Sequence, residues 1–197
     1  MCRKFVELIT TVHGFLRDLG GVYINSFLAE WPADGTPTRS IVSNHLPVLS
    51  WMPAAVAAAH KKALFLVDML ASVADQMAWG QTYSVDDFGS RFLERYGWTE
   101  LIGLRGPVAS ERIACGFLML GPGIEYPRHS HEAEEVYIPL TEPTFWMRGN
   151  EDWKMRTPCR PIYHAPRTPH AMRTESTPLL ALYLWRGGDL TEKSRIE

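Results

Sequence analysis

With 197 residues, 46% hydrophobic residues and a formal net charge of −2, the chain is long enough for one well-buried core, or for a barrel of about 100 residues with an appended segment. The near-neutral charge gives no electrostatic footprint for nucleic acid or an anionic membrane, which leaves a small molecule as the expected partner. Three cysteines, Cys2, Cys115 and Cys159, with no CxxC pair, exclude a disulfide framework and a thiolate zinc site and fit the reducing cytoplasm.

Residues 1–97 read as helical. Phe5, Leu8, Ile9, Val12, Phe15, Leu16 and Leu19 recur at three-to-four spacing and give one apolar face that stops at Gly20-Gly21. The N-terminus from Met1 to Glu7 lacks the apolar core of a signal peptide and is expected to belong to this helix. A second helix is expected over residues 60–79. A third follows the cap-like Ser84, with Asp87 three residues on, and runs toward Gly97. Asp68, Asp75 and Pro53 interrupt the apolar stretches, so none reaches the roughly 20 residues of a membrane span. From about Leu101 the pattern changes to short β-rich runs between Gly and Pro turns, at residues 112–120, 135–140, 144–148 and 179–185.

The densest chemistry lies in residues 123–137, GIEYPRHSHEAEEVY. Strand side chains alternate with period two, so His129 and His131 share one face, and Glu135 and Tyr137 share another. A turn at 132–134 would bring both pairs to one cavity. Two imidazoles, a carboxylate and a phenol suit zinc or another first-row divalent metal. The aromatic residues Tyr126, Tyr137, Trp146, Tyr163, Tyr183 and Trp185 lie on or beside strands able to face such a site. Most aromatic rings simply fill cores, but an aromatic lining also suits a cation that cannot be recognised by hydrogen bonding.

The spacing G-x5-H-x-H-x3-E, from Gly123 to Glu135, resembles the first motif of the cupin superfamily. The usual closing Gly is replaced by Glu142, followed by Pro143, so the turn there should differ from the common form. That resemblance implies a mainly β fold, a double-stranded β-helix or jelly-roll barrel (98–197), with the helical segment (1–97) packed on it. A second motif should supply one more histidine. His170 follows a Pro-containing turn and leads into the last strand, whereas His164 reads as a partly exposed loop histidine or a hydrogen-bond partner behind the ligands.

Taken with the His170 turn, the Trp185 strand and the helical first half, the motif looks like the bacterial cupin-type dimethylsulfoniopropionate lyases, especially the Q-type. The resemblance implies metal ligands at His131, Glu135 and His170, with His129 close by and ligating. It further implies a catalytic tyrosine at Tyr137, with Tyr126 as alternative base or orienting group, and substrate contacts from Tyr126, His129 and Trp185. The implied cofactor is one divalent transition metal, drawn from Zn, Fe(II), Mn, Co and Ni. A sulfonium carboxylate is the implied substrate. Two other readings stay open from the residues alone, an Fe(II) dioxygenase and a non-catalytic ligand-binding cupin. The helical half is open to three roles: covering the barrel mouth, excluding water, or forming a homodimer contact. Arg112, Arg148, Arg167 and Arg173 receive no role.

Overall fold

The structure, a computed structural model, describes residues 3–33 and 35–197; Met1 and Cys2 lie outside them. Helix α1 (Arg3–Leu19) buries Phe5, Leu8, Val12 and Leu16 on one stripe and ends where Gly20 takes φ 58°. Helix α2 (Val22–Leu28) follows at once, burying Ile24 and Phe27. After α3 (Met52–Ala57), the helix expected over 60–79 is shorter. It is α4 (Leu64–Ala71), then a 3-10 turn (Ala74–Gln76) and a strand, β1 (Trp79–Gly80). Ala63, Leu66, Val67, Leu70, Ala74 and Met77 are all buried, so the apolar period survives while the backbone does not. The break is fixed by Trp79, which pairs with Thr99 of the neighbouring strand and donates its indole N–H to the Ala74 carbonyl at 3.0 Å.

Helix α5 (Val85–Leu93) starts at the expected Ser84, whose N–H donates to the Asp87 carboxylate at 2.8 Å. It stops before Gly97, because Tyr96 already opens strand β2 (Tyr96–Gly103). The β region therefore begins upstream of residue 101. The remaining strands are β3 (Val108–Ala109), β4 (Ile113–Leu120), β5 (Glu125–Ser130), β6 (Glu134–Pro139), β7 (Thr144–Arg148), β8 (Lys154–Arg156), β9 (Ile162–His164), β10 (His170–Arg173), β11 (Leu179–Arg186) and β12 (Arg195–Ile196). The Glu142–Pro143 peptide between β6 and β7 is cis.

The strands form two sheets. The larger runs β1-β2-β4-β11-β6-β9 with β3 beside β2, and the smaller runs β12-β5-β10-β7-β8. All pairings are antiparallel except β2 with β3. Along β11, Leu179, Ala181 and Tyr183 face the barrel interior with Tyr126, Tyr137, Trp146 and Met172, while Leu180, Leu182 and Leu184 join the helices on the outer face. Both faces of the larger sheet are thus buried, which is why β4 and β11 read as unbroken apolar runs. The architecture is a mainly β cupin barrel with an α-helical N-terminal segment. No helix among the described residues is long and apolar enough to cross a membrane.

Candidate metal centre and cavity

Strand β5 ends at Ser130 and β6 begins at Glu134, so the chain turns through 131–133 and folds Glu135 back over His131. His170 arrives from β10, where it is the register partner of His129. His131, Glu135 and His170 offer ligand atoms that all lie within 4.8 Å of one another, and all three residues are buried. Glu135 Oε2 stands 3.1 Å from His131 Nε2 and 3.1 Å from His170 Nε2.

Each histidine commits its other nitrogen to the backbone. His129 Nδ1 donates to the Pro127 carbonyl at 2.7 Å, His131 Nδ1 to Ala133 at 2.9 Å and His170 Nδ1 to Thr168 at 2.9 Å. Carbonyl oxygens only accept, so Nδ1 carries the proton in all three rings. The Nε2 atoms are left as lone pairs, and two of them face one carboxylate oxygen. A single proton cannot serve both contacts, and His170 Nε2 has no hydrogen-bond partner. Buried lone pairs crowded against a carboxylate are stable around a cation. The donor set, two imidazoles and a carboxylate, fits a first-row divalent metal.

His129 stands beside this trio. Its ring stacks on Tyr126 at 4.0 Å and meets His170 edge-on at 4.1 Å, and its centroid is 6.4 Å from that of His131. His164 departs from the sequence expectation of a partly exposed loop residue. It is 1% exposed on β9, opposite Glu135, and stacks on His170 at 4.1 Å. Strand alternation explains this: His164 faces inward and Tyr163 outward, where Tyr163 stacks on Tyr23 of α2 at 4.0 Å instead of facing the site. Neither ring nitrogen of His164 has a partner.

A cavity of about 300 Å³ opens beside the centre, and Tyr126, Tyr137, Tyr183 and Trp185 line it. Trp185 Nε1 donates to Glu135 Oε1 at 2.5 Å, which fixes the carboxylate with its other oxygen toward the histidines. Tyr126 exchanges a hydrogen bond with Tyr83 at 2.9 Å. Trp146 backs Tyr137 at 5.1 Å. Sequence reasoning missed Tyr96, Trp98 and Glu100 of β2 and the stretch 190–194, which complete the wall. The alternation of Tyr96, Trp98 and Glu100 was the available signal, missed because the helical reading runs to residue 97 and the β pattern is taken up only from about Leu101.

A sequence model of the dimethylsulfoniopropionate lyase family matches residues 28–181. The chain belongs to the dimethylsulfoniopropionate lyase family. Dimethylsulfoniopropionate lyase DddQ of Ruegeria pomeroyi is 38% identical over 110 residues, covering 55% of this chain and 54% of that one; the chain spans about half the length of the curated relatives it matches. A chain from the crystal structures of the DMSP lyases RdDddP and RnDddQII superposes with a TM-score of 0.89 at 27% identity, covering 98% of this chain and 97% of that one. The crystal structure of DMSP lyase DddQ from Ruegeria pomeroyi DSS-3 gives 0.88 at 24% identity, over 100% and 97%, and carries the fold alone.

In this member of the lyase family the site's charges are set by mutual contact. Burial penalises the Glu135 carboxylate, yet His131 and His170 outweigh that and hold it well below its usual range. Burial likewise opposes a charged His131, but the Glu135 carboxylate raises its pKa above 6.5. Burial and then His170 hold His129 neutral, well below its usual range. A proton between His131 and Glu135 is therefore favoured at low pH and must leave before a cation takes its place. Metal affinity is expected to fall as pH drops through the range in which His131 takes up its proton, which the Glu135 carboxylate shifts upward, with proton release on binding. Calorimetry in buffers of differing ionisation enthalpy measures this, and affinity constant across that range would contradict it.

Proposed function

We propose that this chain cleaves dimethylsulfoniopropionate to dimethyl sulfide and acrylate by metal-dependent β-elimination. One observation carries the reading: the Nε2 atoms of His131 and His170 close on the Glu135 carboxylate directly behind Trp185 and Tyr126, which with the Tyr137 phenol wall the neighbouring cavity. His131, Glu135 and His170 would hold the ion, with His129 beside them as a further ligand or substrate contact. A bound divalent cation, whether zinc, iron(II), manganese, cobalt or nickel, supplies Lewis acidity that offsets charge on a substrate carboxylate and lowers the pKa of a nearby phenol.

Tyr137 is the base in this reading, taking the proton from the carbon next to the carboxylate. Burial and then the Glu135 charge push the phenol well above 10, so in this reading the cation would serve to favour its ionised form. The leaving group departs from a sulfonium as a neutral sulfide, so no second acid is required. Tyr126, held by Tyr83 and stacked on His129, would orient the substrate, and Trp185 would close the wall while steadying Glu135.

We further read residues 98–197 as the barrel that carries the chemistry and 1–97 as its helical cover. All candidate ligands follow residue 98, and the helices share an apolar cluster with the outer face of the larger sheet, although β1 and the start of β2 cross that line. Cys115 and Cys159 are free thiols, which supports a reducing cytoplasmic setting. Headspace gas chromatography of metal-loaded protein mixed with dimethylsulfoniopropionate tests the activity. Dimethyl sulfide with matching acrylate, lost on chelation and restored by metal, is the expected result; no release with any of the five metals would overturn it.

A further inference from the structure

Four strands of the larger sheet set Glu100, Gly116, Tyr183 and Tyr137 in one transverse row. Glu100 is opposite Gly116 in the β2–β4 pairing, Gly116 opposite Tyr183 across β4–β11, and Tyr183 opposite Tyr137 across β11–β6. Directly opposed residues share a face. The row therefore places a second carboxylate on the same wall as Tyr137, three strand spacings or about 14 Å of backbone away. Only glycine fits between Glu100 and Tyr183, since a Cβ at Gly116 would collide with the Thr99 carbonyl oxygen and lie 2.8 Å from the Tyr183 hydroxyl and 2.9 Å from Glu100 Cα.

Glu100 is 5% exposed and only half engaged. Its Oε1 accepts the Arg105 N–H at 2.5 Å and the Gly106 N–H at 2.7 Å. Among the described residues its Oε2 has no hydrogen-bond partner, and no side-chain cation lies within ion-pair distance of it. Two cations do line the cavity, and both are committed elsewhere. The Arg105 guanidinium sits over Trp98 at 5.3 Å and donates to the Leu190 and Thr191 carbonyls at 3.4 and 3.1 Å. Lys193 Nζ pairs with Asp87 at 2.9 Å. Burial raises the Glu100 carboxyl despite its two backbone donors and the nearby charges of Arg105 and Arg39, neither of which closes to an ion pair with it, Arg39 being spent on the Gly103 and Gly106 carbonyls.

We propose that Glu100 supplies that missing ion pair to the substrate, anchoring its cationic end, so that the cavity selects zwitterions with a permanent positive charge at one end and a carboxylate at the other. Tyr183 and Tyr137 follow Glu100 along the row and line the cavity, and aromatic rings suit methyl groups that cannot form hydrogen bonds. The identification of the cation as a sulfonium rests on the lyase reading above; the charge preference itself does not.

Glu100 also clamps the turn at 103–106 through Oε1, and Glu100→Gln separates the two roles, because the amide oxygen still accepts both N–H groups while the charge is gone. The experiment is calorimetric titration of metal-loaded wild type and Glu100→Gln with 3-(trimethylammonio)propionate and with 4-methylpentanoate, which has the branched tail without the charge, alongside kinetics on dimethylsulfoniopropionate. The wild type is expected to prefer the ammonium compound about tenfold or more. Glu100→Gln should erase that preference, leave 4-methylpentanoate affinity unchanged, and raise KM for dimethylsulfoniopropionate about tenfold with kcat nearly retained. A preference that survives in Glu100→Gln, or none in the wild type, overturns the proposal. Should the Gln variant fail to fold, Glu100→Asp retracts the charge by one methylene and is expected to weaken the preference; an undiminished preference would overturn it equally. Wild type that cleaves no dimethylsulfoniopropionate but loses its ammonium preference on Glu100→Gln would sink the lyase reading and leave the cation site standing.

Discussion

Glu135→Ala is expected to abolish stoichiometric metal binding, weakening affinity by at least about 100-fold, and to take turnover below detection. The carboxylate is the hub of the site: Oε2 faces the Nε2 atoms of His131 and His170, and Oε1 accepts the Trp185 indole N–H. Removing it leaves two imidazoles without their anionic partner and strands the Trp185 donor, a cost of about 1–3 kcal/mol to the apo fold. The barrel itself does not depend on that contact, so the variant should still unfold cooperatively. Metal analysis after gel filtration, set beside a urea titration, checks both halves. A variant that retains one metal per chain and normal turnover would remove Glu135 from the centre.

Tyr137→Phe is expected to keep the metal and lower kcat by about 10²–10⁴-fold, the range for loss of a positioned base. The phenol lies on β6 two residues beyond Glu135, on the same face, and lines the cavity. Burial and then the Glu135 charge raise its pKa, and a bound cation would lower it and favour the phenolate, so wild-type activity should rise with pH as the phenol ionises. Tyr126→Phe, which loses the hydrogen bond to Tyr83, should act mainly on KM. Full activity in Tyr137→Phe, with loss in Tyr126→Phe, would reverse the two roles.

The centre was readable in the sequence because its pattern is local. His129, His131 and Glu135 fall within seven residues, and a period of two is enough to place them together. His170 is nearly forty residues further on, and its inclusion came through the resemblance and not through periodicity. The alternation of Tyr96, Trp98 and Glu100 could mark a strand but not its place, since the approach of Glu100 to Tyr137 depends on three separate strand pairings that no local spacing encodes. The second helix failed differently. Leu66, Val67, Leu70, Ala74 and Met77 keep a helical burial rhythm, yet Trp79 leaves the helix to pair with β2, a tertiary contact that overrides propensity. Strands β4 and β11 could not show alternation, because helices cover one face and the barrel interior the other.

The three Nδ1–H groups of the candidate centre donate to main-chain carbonyls two residues away, whereas the cavity beside it is walled by side chains from β2, β11 and the stretch 190–194. The reagent and the selector are therefore inherited through different parts of the chain. Backbone carbonyls survive point mutation, so the rings stay aimed while wall residues drift. A lineage built on this scaffold can change which molecule it admits without passing through a variant whose histidine rings have lost their aim.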